Sequence, residues 1–150
     1  MHSGNRFPPL DKETIASRIE GRLERQAAIA ARTPPVGLCF VLYEAVLRSP
    51  LVDAAQLDRL LAESQLPNVH LQVLPFDRAT FPGALMGPMV LLETRDHERF
   101  AFTEGQFASE LSADPAIVSK VTERLSMIRA LALSPAESAD FIKGLAKTDE

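Results

Sequence analysis

Few residues in this chain have the type and spacing to do chemistry, and two carboxylates stand out by where they fall. Glu44 closes an apolar run at Tyr43-Glu44-Ala45, and Glu104 closes another at Thr103-Glu104-Gly105. Carboxylates at strand ends can line a cleft, and they serve as a general acid or base when their surroundings raise the pKa. Arg48 follows Glu44 by four residues, and Gln72 lies in an alternating stretch further on. Glu44, Arg48, Gln72 and Glu104 therefore make one candidate pocket. The structural reading competes with it: Glu44 pairs with Arg48, or with an arginine of the first helix, to pin a turn, while Glu104 caps a loop.

The remaining chemistries find less support. His2, His70 and His97 are far apart, and none has the second ligand three or four residues away that a helical metal site uses. His70 is expected on the exposed face of a strand and His97 in a polar turn. Cys39 is the only cysteine. It lies in the most apolar segment, where a thiol is expected to act as an inert small hydrophobe. Gly83-Ala84-Leu85-Met86-Gly87 lacks the Lys-Ser or Lys-Thr of a phosphate loop and leads into a strand rather than a helix. Its glycines are expected to serve a loop that reaches across the sheet. No Gly-x-Ser-x-Gly elbow is present. The expectation is a chain with no catalytic residue, no metal and no cofactor.

The elements that must position these residues follow from pattern. The 150 residues fit one domain, and 46% hydrophobic with 24% charged residues is an ordinary folded composition. Residues 1–11 read as a disordered lead-in containing Pro8-Pro9, and 12–150 as a single domain. Ile15, Ile19, Leu23 and Ala27 recur every four residues, one apolar stripe of a helix over about 12–31 that Pro34-Pro35 ends. Val36 to Tyr43 carries no polar interruption and predicts a strand buried on both faces. Asp53 with Gln56 resembles a capping box ahead of Leu57, Leu60 and Leu61. Val69 to Pro75 alternates as a half-exposed strand, 76–88 is a loop, and 89–93 and 99–103 form a hairpin. Asp114-Pro115 starts a helix with Ile117, Val121, Leu125 and Ile128 on one face. Ser134 with Glu137 boxes the start of another, whose buried side is Phe141, Ile142 and Leu145. The fold class is α/β or α+β, a small mixed sheet of about four strands covered by about four helices.

Composition excludes several function classes. The longest apolar run is far short of the roughly 20 residues of a membrane span, and no signal peptide is visible. The net charge of −4 makes a poor non-specific DNA binder. Arg18, Arg22, Arg25 and Arg32 are interleaved with Glu13, Glu20 and Glu24, which reads as a solvated mixed-charge face. With a single cysteine, no intramolecular disulfide can form, and the expected compartment is the cytoplasm.

Several longer stretches carry a resemblance. Arg22 to Gln26, Val41 to Arg48, Leu66 to Pro75, Gly83 to Glu93, Phe102-Thr103-Glu104 and Leu131 to Ser138 occur in this order over about residues 15–146. Together they resemble the domain of unknown function that follows a Xre-type helix-turn-helix in many actinobacterial transcription regulators. Some of those are described as antitoxin-like members of toxin–antitoxin pairs. The resemblance implies a regulatory role, supplies no catalytic residue, and marks Arg22, Gln26, Glu44, Arg48, Pro75, Gly83 and Glu104 as shared positions. Only Met1 to Lys12 precede the first helix, so DNA binding does not carry over with it.

Three functions are thereby set against one another. The first is a regulatory module that binds a small acidic partner protein, or a Xre-type regulator of its own kind, through a sheet edge and the terminal helices. Self-association is expected as well, because Met127 and Leu131 extend an apolar helix face. The second is a ligand sensor, with the 76–88 loop over a pocket bounded by Glu44 and Glu104. The third is an enzyme using one of those carboxylates with a raised pKa.

Overall fold

A computed structural model describes residues 12–31, 36–80, 87–105 and 107–148. The predicted lead-in over 1–11 and the Gly83 position lie outside the described residues. The chain folds as α+β, with helices α1 (Lys12–Ala30), α2 (Glu44–Leu47), α3 (Ala54–Ser64), α4 (Pro115–Leu131) and α5 (Pro135–Thr148). The strands are β1 (Leu38–Tyr43), β2 (Val69–Leu74), β3 (Met89–Glu93), β4 (Arg99–Glu104) and β5 (Ser109–Ser112). They divide into a parallel pair β1-β2 and an antiparallel sheet in the order β3-β4-β5. The small mixed set of strands is thus split in two, and β5 and the single-turn α2 join the elements that the sequence pattern reveals.

Local chemistry explains most boundaries. Asp53 caps α3 by accepting from the Gln56 N–H at 2.9 Å. Asp114 accepts from the Ala116 N–H at 3.0 Å, and Pro115 opens α4 where its missing N–H costs nothing. At α5 the box is reciprocal: the Glu137 N–H donates to Ser134 Oγ at 3.2 Å, and the Ser134 N–H donates to Glu137 Oε1 at 3.0 Å.

Each sheet has its own core. Leu47, Leu57, Leu71, Val73 and Ile142 form one cluster, where α2, α3 and α5 meet the parallel pair. Ala101, Val118 and Val121 form the other, with Met89, Leu91 and Leu125 packed against it, so α4 covers the inner face of β3-β4. A polar junction closes the free edge of β2. The Leu133 N–H donates to the Val73 carbonyl at 2.9 Å, the Val73 N–H donates to Ser138 Oγ at 2.8 Å, and Gln72 Nε2 donates to the Leu133 carbonyl at 3.1 Å. Ser138 is fully buried, so the link between α4 and α5 stands where a third strand would otherwise pair.

Two expectations are corrected. β1 is not buried on both faces: Cys39 and Phe40, adjacent and so on opposite faces, are both exposed. An uninterrupted apolar run fits two-sided burial in a parallel sheet, but β1 belongs to a pair only two strands wide. Cys39 is accordingly a surface thiol and not a core hydrophobe. The stripe on α1 is also uncovered, with Ile19, Leu23 and Ile29 between 40% and 56% exposed.

Candidate functional site

The first candidate site lies at the carboxyl end of the parallel pair. β1 runs straight into α2, with Tyr43 in extended geometry as the cap residue and Glu44 as the first helical residue. This places the Glu44 carboxylate beside the chain leaving β2. Its Oε1 accepts from the Phe76 N–H at 2.9 Å, and its Oε2 accepts from Arg48 Nε. Arg48 also lies over the Phe141 ring, 5.9 Å from its centroid, and the Tyr43 and Phe76 rings meet edge to face at 5.4 Å. Desolvation pushes the Glu44 pKa up, but the Phe76 N–H and the Arg48 guanidinium together outweigh it and hold the carboxyl below its ordinary 4.5. An ionised carboxylate with both oxygens engaged is a strut. A general acid would need the opposite shift.

The other expected pocket residues do not gather around it. Gln72 points to the link between α4 and α5, where it bonds the Leu133 carbonyl. Glu104 ends β4 in the other sheet and is exposed. Arg22 and Gln26 are on the exposed surface of α1. Glu44 and Arg48 are therefore joined, while Gln72, Glu104, Arg22 and Gln26 serve separate places. Among the described residues no group of three or more His, Cys, Asp or Glu side chains could hold a metal ion, and His70 and His97 are each exposed. No buried side-chain nitrogen or oxygen lacks a hydrogen-bond partner among them either.

A cleft of about 590 Å³ lies between the β3–β4 hairpin and α4, lined by His97, Arg99, Pro115, Val118, Ser119 and Glu123 among others. His97 adopts a left-handed backbone with φ of 63°, in a tight turn where its N–H donates to the Thr94 carbonyl at 3.0 Å. Arg99 Nε donates to Glu93 Oε1 at 3.0 Å, and His97 Nδ1 lies 3.6 Å from Glu93 Oε2. Arg99, with His97 second, holds the Glu93 carboxyl below its ordinary pKa. The Arg99 guanidinium in the cleft is thus already paired with an adjacent carboxylate, on a hairpin open to solvent.

A further uncommitted feature is apolar. Strand alternation and the observed register put Val90, Leu92, Phe100, Phe102 and Leu111 on the face of β3-β4-β5 away from α4. Val90 stands directly across from Phe102, Phe102 from Leu111, and Leu92 from Phe100. Val90, Leu92 and Leu111 are 43%, 49% and 61% exposed. Glu104 is the one charged residue sharing that face. The sequence reading misses this surface because it lacks β5, and without β5 Leu111 has no place in a row.

Residues 1–144 match the family described as Domain of unknown function (DUF5753). No curated protein matches the chain, and no solved structure does. No described helix is long and apolar enough to cross a membrane.

Proposed function

The chain belongs to the DUF5753 family, and we propose that it is a non-catalytic regulatory module that docks a partner protein on the outer face of β3-β4-β5. The observation that carries this reading is the row of exposed Val90, Leu92 and Leu111 around half-buried Phe100 and Phe102. A row of exposed apolar side chains on one sheet face supports an interaction surface, because leaving it in water forfeits the hydrophobic gain that burial would bring. Its surroundings choose the partner's chemistry. Glu104 is the charged side chain on that face, and the hairpin turn at its end adds Asp96 and Glu98 against Arg95. This favours an apolar helix or strand with basic flanks.

The resemblance to domains that follow a Xre-type helix-turn-helix supports placing the module in transcription regulation, toxin–antitoxin pairs included, with a regulator of its own kind as the natural partner. The low pKa and full engagement of Glu44 favour a non-catalytic role. The test is affinity purification of the tagged chain from its own cells beside the double variant Leu92→Glu/Leu111→Glu. The reading expects a stoichiometric protein, a second copy included, that the wild type holds and the variant loses. A wild type that brings down nothing the folded variant lacks overturns it.

A further inference from the structure

The chain carries a second uncovered apolar element, and its chemistry matches what the sheet face calls for. On α1, at 100° per residue, Ile19, Leu23 and Ile29 fall within about 120° of the circumference. They are 48%, 56% and 40% exposed and belong to neither core cluster. Arg18 and Arg25 border this arc on one side and Glu20 on the other, while Arg22, which already has a partner, and Gln26 lie within it. We infer that the face of β3-β4-β5 takes α1 of a second copy of this chain, each copy giving its helix to the other in a two-fold dimer. This rests on the docking-face reading above and names its occupant.

Area and charge both select this arrangement over a simpler one. Strands of 5, 6 and 4 residues make a face of about 18 by 14 Å, roughly 250 Å². Two such faces pressed together hide about 500 Å², well under the roughly 1,000 Å² at which a specific interface begins. They would also bring the Glu104 carboxylates of the two copies to the same face. Reciprocal exchange makes two helix-on-sheet contacts in place of one and so hides about 1,000 Å². α1, about 28 Å long, spans the full length of each face, and the total reaches the roughly 1,000 Å² that a specific interface needs. It also brings Arg18 and Arg25 of one copy to the face that carries Glu104 in the other. An interface in which each copy gives what the other receives is self-complementary, as two-fold symmetry requires.

Light scattering on the full chain at micromolar concentration should read twice 16.4 kDa, and Leu23→Glu or Leu111→Glu should each weaken the dimer at least tenfold. Both replace exposed side chains, and circular dichroism checks that each variant is folded. Geometry is read with single cysteines: a Cys39→Ala/Leu23→Cys chain mixed with a Cys39→Ala/Leu111→Cys chain should oxidise to a covalent heterodimer. A monomer overturns the inference, as does a Leu23→Cys/Leu111→Cys chain that closes its disulfide internally, which would put each helix on its own sheet. A dimer lost with Leu111→Glu but untouched by Leu23→Glu also overturns it, and in that outcome the docking face stands while its occupant changes.

Discussion

Replacing Glu44 with alanine removes the carboxylate that ties α2 to the chain leaving β2. Two bonds go with it, one from the Phe76 N–H at 2.9 Å and one from Arg48 Nε. A hydrogen bond to a charged group contributes about 1.5–3 kcal/mol, the range taken for the Phe76 bond. The Arg48 side chain is 50% exposed, so solvent screens its pairing to about 0.5 kcal/mol. The sum is about 2–3.5 kcal/mol, or about 4–14 °C of melting temperature for a domain of this size. Glu44→Gln keeps an acceptor for Phe76 and should cost about 1 kcal/mol.

The pH dependence separates this strut from a reactive acid. The folded carboxyl titrates below its unfolded value near 4.5, so its stabilisation is fully present above that value and is lost as pH falls through the folded pKa. Thermal melts from pH 7 to pH 3 should show wild type and Glu44→Ala far apart at neutral pH and converging in acid. A carbon-detected titration of the Glu44 carboxyl should give a midpoint under 4.5. A midpoint above it, or a stability gap that does not narrow in acid, would refute the reasoning.

Other consequences are open to the same melts. Ser138→Ala strips the buried Val73 N–H of its acceptor and should cost about 1–3 kcal/mol, measured by urea unfolding. His97→Gly relieves a left-handed backbone at φ 63° and should leave stability unchanged or raise it by up to about 1 kcal/mol, the strain relief being offset in part by glycine's greater unfolded freedom. Gly87→Ala should destabilise by more than about 1 kcal/mol, because φ is +106° and a Cβ there would sit 2.9 Å from the Glu104 carbonyl oxygen. Its signature in hydrogen exchange should be faster opening of β3 and β4 while β1 and β2 are unchanged.

What the sequence makes legible is what local chemistry decides. The Asp53, Asp114 and Ser134 starts can be read from a few residues each, because a cap and its partner lie within three positions. The Glu44–Arg48 pair is readable for the same reason, at a helical spacing of four. The rest depends on partners distant in the chain. Phe76, the second holder of Glu44, is 32 residues away, and Ser138 meets Val73 across 65. β5 escapes notice because Ser109-Glu110-Leu111-Ser112 holds one apolar residue, and α2 because it continues an apolar run without a break. Cys39 and Phe40 sit in a run that looks like a sheet interior, and only the strand's place in a two-stranded pair exposes them. The apolar face of β3-β4-β5 is hidden in the sequence for a related reason: it is a property of three strands in register and not of any one of them.

The most direct test of the docking role is the native mass of the chain isolated from its own cells, wild type beside Leu92→Glu/Leu111→Glu. The account predicts a wild-type particle heavier than 16.4 kDa by a whole protein, its own copy or another, and a variant of unchanged melting temperature that runs alone. A wild type that runs alone, or a variant that keeps the same partner, would contradict it.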